Sequence, residues 1–138
     1  MSLNNVAEDI RALLESESKG ESGVDLFSFQ WGSDVKGAEI DGQIMIMDNG
    51  QLADFSLKES HEQPSFTIYV RGETSESEKA VHDRARDIYE MMLQEKRQII
   101  NALEYVEFTP IGGLLPLGKD TSNRVSYSMN FYTFRCAI

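Results

Sequence analysis

The chain has one cysteine, three prolines, one tryptophan and two histidines in 138 residues. Cys136 stands alone, so no intrachain disulfide and no cysteine-based metal site can form. Its apolar surroundings favour a small packed residue over a reactive thiol. The lack of a disulfide framework fits a reducing compartment such as a cytosol. His61 and His82 have no histidine or cysteine partner at ligand spacing, and no HExxH pattern occurs. Both are expected as solvated surface residues. No apolar run approaches the ~20 residues that a membrane-spanning helix needs. The first twenty residues are polar and acidic rather than basic then apolar, so no signal peptide is expected. Basic residues are also scarce: 13 stand against 23 acidic ones, a formal charge of −10. A field of that sign repels nucleic-acid phosphates and anionic membranes, which disfavours DNA tracking and lipid docking.

What remains is an ordinary globular composition, 41% hydrophobic and 26% charged. The length suits a single domain with a core that needs no disulfide or metal. The charge is unevenly spread. Residues 1–50 hold ten acidic and three basic residues, net −7, whereas residues 101–138 hold three of each.

Periodicity sets the elements. Val6, Ile10, Leu13 and Leu14 form one helical stripe, started by Asn5 with Glu8 three residues on. Ser16–Gly23 reads as a loop, then Val24–Trp31 as a strand with Phe27, Phe29 and Trp31 on one face. After the glycine-bearing stretch 32–42, Ile44–Met47 is a short apolar strand. Asn49-Gly50 signals a hairpin turn, with Ala53, Phe55 and Leu57 on the returning strand. Phe66, Ile68 and Val70 alternate inward against Thr67, Tyr69 and Arg71. Ser75-x-x-Glu78 is a capping box. It opens a stripe of Val81, Ala85, Ile88, Met92, Ile99 and Leu103 that predicts a long helix over about 76–103, vacant only at Glu95. Tyr105–Thr109 and Arg124–Phe134 are two further strands, with Val106 and Phe108 on one face of the first. The expected class is α/β (α+β), a single domain with a mixed, mainly antiparallel sheet. A short N-terminal helix and one long helix pack on it, in the order α-β-β-β-β-α-β-β.

Catalytic signatures are weak. Gly113–Lys119 matches GxxxxGK, but Asp120 replaces the Ser/Thr, a strand follows, and Pro116 removes an amide donor, so the phosphate-loop geometry fails. Asp83, Asp87 and Glu90 share a helix face that could hold a metal, yet Arg86 and Arg97 share it too, which favours a solvated charged face. Glu95 interrupts an apolar stripe. It either snorkels at the stripe's edge or faces a neighbouring subunit. Ile111, Leu114, Leu115 and Leu117 lie in a long connection carrying glycines and Pro116. They either tuck over the core or insert against a partner.

Three stretches in order carry a resemblance. They are Pro64–Gly72 leading into the long helix, Pro116–Asp120 with Asn123-Arg124, and Tyr127–Phe131; the turn Ile46–Gly50 adds to them. This pattern resembles the tail terminator or minor capsid (tail completion) proteins of long-tailed bacteriophages and prophages, over about residues 44–134. The resemblance implies a non-enzymatic virion subunit without cofactor or metal, assembled in the host cytoplasm. It further implies a homo-oligomeric ring, usually a hexamer, that caps the tail tube and forms the head-tail joining surface. The implied partners are other copies, the tail tube protein and a head-completion or connector protein. DNA would only pass through the channel, and no membrane is involved. By position Lys119, Asp120 and Arg124 match the family's loop motif and Arg71 the end of its central strand, so these are expected at inter-subunit or tube contacts. With Glu95, Leu114, Leu115 and Leu117 they form the candidate interface set. The acidic first fifty residues would suit a channel wall that repels phosphate. The alternative is an acidic binding module, an inhibitor or chaperone that masks a basic partner; a carboxylate-site enzyme using Asp83, Asp87 and Glu90 is a third reading.

Overall fold

Asn5 begins the first helix as its sequence requires. Its carboxamide accepts the Ala7 N–H at 2.8 Å, and helix α1 runs Val6–Ser16. The computed structural model describes residues 5–29, 32, 42–51, 61–101 and 103–137. Strand β1 (Leu26–Ser28) is shorter than the periodicity predicts, and Leu26 rather than Phe27 is its buried residue. Phe29, at φ 74°, turns the chain out of the strand. Trp31 and the expected strand over 53–57 lie outside the described residues, as does most of the 32–42 stretch.

Strand β2 (Ile44–Gln51) runs through Asn49-Gly50 instead of turning there. Its pairing with β4 (Pro64–Arg71) slips between Asp48 and Gly50, so the dipeptide forms a bulge with Gly50 at φ 82°. The short β3 (His61–Glu62) precedes β4. Phe66, Ile68 and Val70 are fully buried, as their alternation predicts.

Helix α2 spans Glu78–Gln94, not 76–103. Its cap is Ser77, which accepts the Ala80 N–H, while Glu76 accepts the Glu73 N–H. The vacancy at Glu95 is where the helix ends. From there the β-branched pair Ile99-Ile100 enters β5 (Lys96–Ile100), which folds back on β6 (Leu103–Pro110). A bulge between Tyr105 and Phe108 shifts the face of β6, so Tyr105 is buried in place of Val106. The connection after β6 contains another strand, β7 (Leu115–Lys119), and the last strand is β8 (Val125–Ala137). The order α-β-β-β-β-α-β-β therefore stands, with β5 and β7 added after the long helix.

Among the described residues, the eight strands form one sheet in the order β1-β2-β4-β8-β6-β5, parallel only between β1 and β2. The long β8 is its spine. Strands β3 and β4 pair along one side of it, β6 and β7 along the other. Both helices share one core with one face of the sheet, where Ile10, Leu14, Val81, Ile88, Met92, Phe66, Met129 and Phe131 meet. Residues of the other parity (Met45, Met47, Thr67, Tyr69, Arg71, Ser126, Ser128) lie on the opposite face. There Asn49 donates to Thr67 Oγ1 at 2.6 Å, and Thr67 donates to Asn130 at 2.5 Å.

Candidate functional site

The face away from the helices holds a cavity of about 450 Å³. Its floor is Met45, Met47, Tyr69, Arg71 and Ser126 from β2, β4 and β8, and its wall is Leu117–Asp120 at the end of β7. Two flexible thioethers and a leucine make an adaptable apolar surface. Arg71 and Lys119 set two cations at it, in a chain whose net charge is −10. Four of the eight candidate interface residues (Arg71, Leu117, Lys119, Asp120) thus meet at one place. Met45, Met47 and Ser126 were not singled out from sequence, although their position on the outward parity of β2 and β8 marks them.

Local chemistry explains the wall. Strand β7 bulges between Pro116 and Gly118, where Gly118 takes φ 79° that a side chain would strain. The β7–β8 turn is clamped by Asp120. Its Oδ1 accepts the N–H groups of Ser122 (2.9 Å) and Arg124 (3.0 Å), and its Oδ2 accepts the Arg124 Nε at 2.9 Å. Burial opposes ionisation of Asp120, but the Arg124 amide and guanidinium and the Ser122 amide outweigh it and hold the carboxyl below the usual range. Arg124 is buried within this clamp, and Arg71 is buried under the cavity. The expected contact pair Asp120 and Arg124 thus bind each other within one chain.

All of β7 is exposed, with Leu115 at 48% and Leu117 at 51%, and among the described residues it pairs only with β8. Of the two readings of the aliphatic loop, Leu114 takes the first and packs on the core, while Ile111, Leu115 and Leu117 stay exposed.

Glu95 lies apart, on the helix side. It accepts from Gln98 Nε2 at 2.6 Å. Burial raises its carboxyl above the usual range, and the neighbouring Glu17 carboxylate raises it further. A carboxyl raised in the folded state costs stability above its ordinary pKa, and the cost vanishes as pH falls below it. Glu17→Gln is therefore expected to raise the melting temperature by about 1–2 °C at pH 7, with no gain below about pH 4. Thermal scans at the two pH values check this.

Three carboxylates of α2 are taken up in surface ion pairs: Asp83 with Lys79 (2.7 Å), Asp87 with Lys19 (3.3 Å) and Glu90 with Arg86 (3.0 Å). His82 packs edge-on against Tyr127. Among the described residues no group of His, Cys, Asp or Glu is placed to hold a metal, and no helix is long and apolar enough to cross a membrane.

A second cluster went unnoticed in the sequence. Asp9 of α1 is wholly buried. It accepts from Tyr105 Oη, from Asn101 Nδ2 at 2.6 Å and from Arg135 Nη1 at 3.4 Å. Arg135 also donates to Tyr105 Oη at 2.9 Å. The only sequence signal was that Asp9 falls between Val6 and Ile10 on the apolar stripe.

A mixed sheet with both helices on one face, and an exposed apolar strand beside a cavity on the other, describes a subunit that presents a surface. Residues 13–134 match the family of bacteriophage tail terminator proteins, and the chain belongs to that family. It is thus a structural protein of phage-type tails. The fold is similar to that of a chain in the virion of a native gene transfer agent particle, with a TM-score of 0.67 at 10% identity, covering 98% of this chain and 100% of that one. No curated protein matches it.

Proposed function

We propose that copies of this chain close into a ring, a hexamer, at the head-proximal end of a tail tube. The ring would stop tube growth and offer the surface on which a head-completion or connector protein docks. Membership of the tail terminator family over residues 13–134 carries this reading. The exposed Leu115 and Leu117 support it, because apolar side chains on a strand edge suit burial between subunits. The subunit would act in the virion after assembly in the host cytoplasm, without catalysis or cofactor. The acidic N-terminal half would suit a channel through which DNA slides without binding.

Light scattering of the purified chain, alone and with tail tube protein, tests the ring. The expected species contains six chains of 15.6 kDa. A chain that stays monomeric in both conditions overturns the proposal.

A further inference from the structure

The cavity and the exposed β7 edge have a complement on the same molecule. Near the cavity the strands run β1-β2-β4-β8-β7, so among the described residues β1 and β7 are opposite edges, about 19 Å apart at ~4.8 Å per strand. The β1 edge carries two exposed apolar residues, Val24 at 53% and Phe29 at 44%. Val24 sits in a turn between Glu21 and Asp25, closed by bonds from the Val24 and Asp25 amides to the Glu21 carbonyl. Thus one edge is apolar and acidic, the other apolar and basic.

The two edges are also level. Leu26, Ile44, Val70, Tyr127 and Pro116 are successive register partners across the sheet. Two residues further on, the row Gly42, Gly72, Val125, Lys119 is held by Gly42 N–H to Gly72 O, Gly72 N–H to Val125 O and the Val125–Lys119 pairing, and the Val24 turn precedes Leu26 at that same end of β1. A copy displaced sideways along this row brings its Val24 turn against Lys119 of its neighbour.

We infer that a second copy seats on the β7 edge, at the rim of this cavity. The β1 edge of one subunit seats on the β7 edge of the next, Val24 packs against Leu117, and Glu21 faces Lys119. This deepens the ring proposal and rests on it. A two-fold pairing would set acidic edge on acidic edge, whereas the head-to-tail pairing joins unlike edges and repeats, which is how rings close.

Charge reversal tests the contact. Glu21 and Lys119 are both exposed, so Glu21→Lys and Lys119→Glu are expected to leave the melting temperature within about 1 °C. Each alone should raise the concentration for half-assembly at least about tenfold, measured by light scattering at low salt. An equimolar mixture of the two variants should recover wild-type assembly to within about threefold. Opposite charges then face each other at every junction of an alternating, even-numbered ring. Val24→Asp, which places a charge against Leu117, should weaken assembly with no rescue by either variant.

Single variants that assemble like the wild type, or a mixture no better than its components, overturn this interface and leave the ring intact. A wild-type chain that never assembles, even with tail tube protein, overturns both.

Discussion

With Asp9 replaced by alanine, the protein is expected to melt about 10–20 °C lower than the wild type. Asp9 joins α1 to the β5–β6 turn through Asn101, to β6 through Tyr105 and to β8 through Arg135. Removing one member of a buried ion pair strands the other charge in a low-dielectric interior, at a cost of about 3–5 kcal/mol. For a chain of this size each kcal/mol moves the midpoint by roughly 4 °C. Asp9→Asn keeps an acceptor for Asn101 and Tyr105 but loses the charge that faces Arg135, so an intermediate loss is expected. Replacing the group by apolar residues, Asp9→Leu with Arg135→Met, should recover much of the loss, because the pair's attraction is largely offset by its desolvation. Circular dichroism melts of the three variants check the order. A single-variant loss below about 1 kcal/mol would mean that the helix is held by its apolar stripe alone. Burial foremost, with the Asp9 carboxylate adding to it, pushes the Tyr105 phenol up despite Arg135. An acid raised in the folded state stabilises less once pH passes its unfolded value, so stability should also fall above about pH 10.

This network shows what a linear reading misses. The stripe of α1 and the alternation of β4 and β8 were legible because the burying partner is a whole face, and a face imposes its period on one short segment. Asp9, Asn101, Tyr105 and Arg135 come from three regions of the chain, and apart from Asp9's place on the apolar stripe nothing local marks them as partners. The end of α2 failed for a related reason. Residues 91–94 remain good helix formers, and the break at Glu95 is imposed by the pairing of β5 with β6. Strand β7 hides in a stretch of glycine and proline that composition assigns to loop; its pairing with β8 makes it a strand. Of the candidate interface set, one cavity collects Arg71, Leu117, Lys119 and Asp120. The two methionines that complete it lay on a face left without an assigned role.

The second large effect is expected from Asp120→Ala. The change removes three hydrogen bonds from the β7–β8 turn, one of them to the guanidinium of the buried Arg124. A charge-assisted bond at a largely buried cation is worth more than an ordinary one, so a loss of about 2–3 kcal/mol, or roughly 10 °C, is expected. Asp120→Asn can still accept the Ser122 and Arg124 amides, and should lose about half as much. Because the carboxyl is held below its usual range, its contribution is full above about pH 4 and is lost as pH falls further. The wild type and the alanine variant should therefore converge in stability under acid. The same variant separates fold from assembly. Asp120 fixes the hairpin that presents Leu117 and Lys119, so its loss should lower both the melting temperature and the tendency to assemble. Leu117→Asp alters an exposed side chain and should weaken assembly alone. If Asp120→Ala instead assembles poorly at an unchanged melting temperature, its carboxylate belongs to the contact between subunits rather than to the clamp.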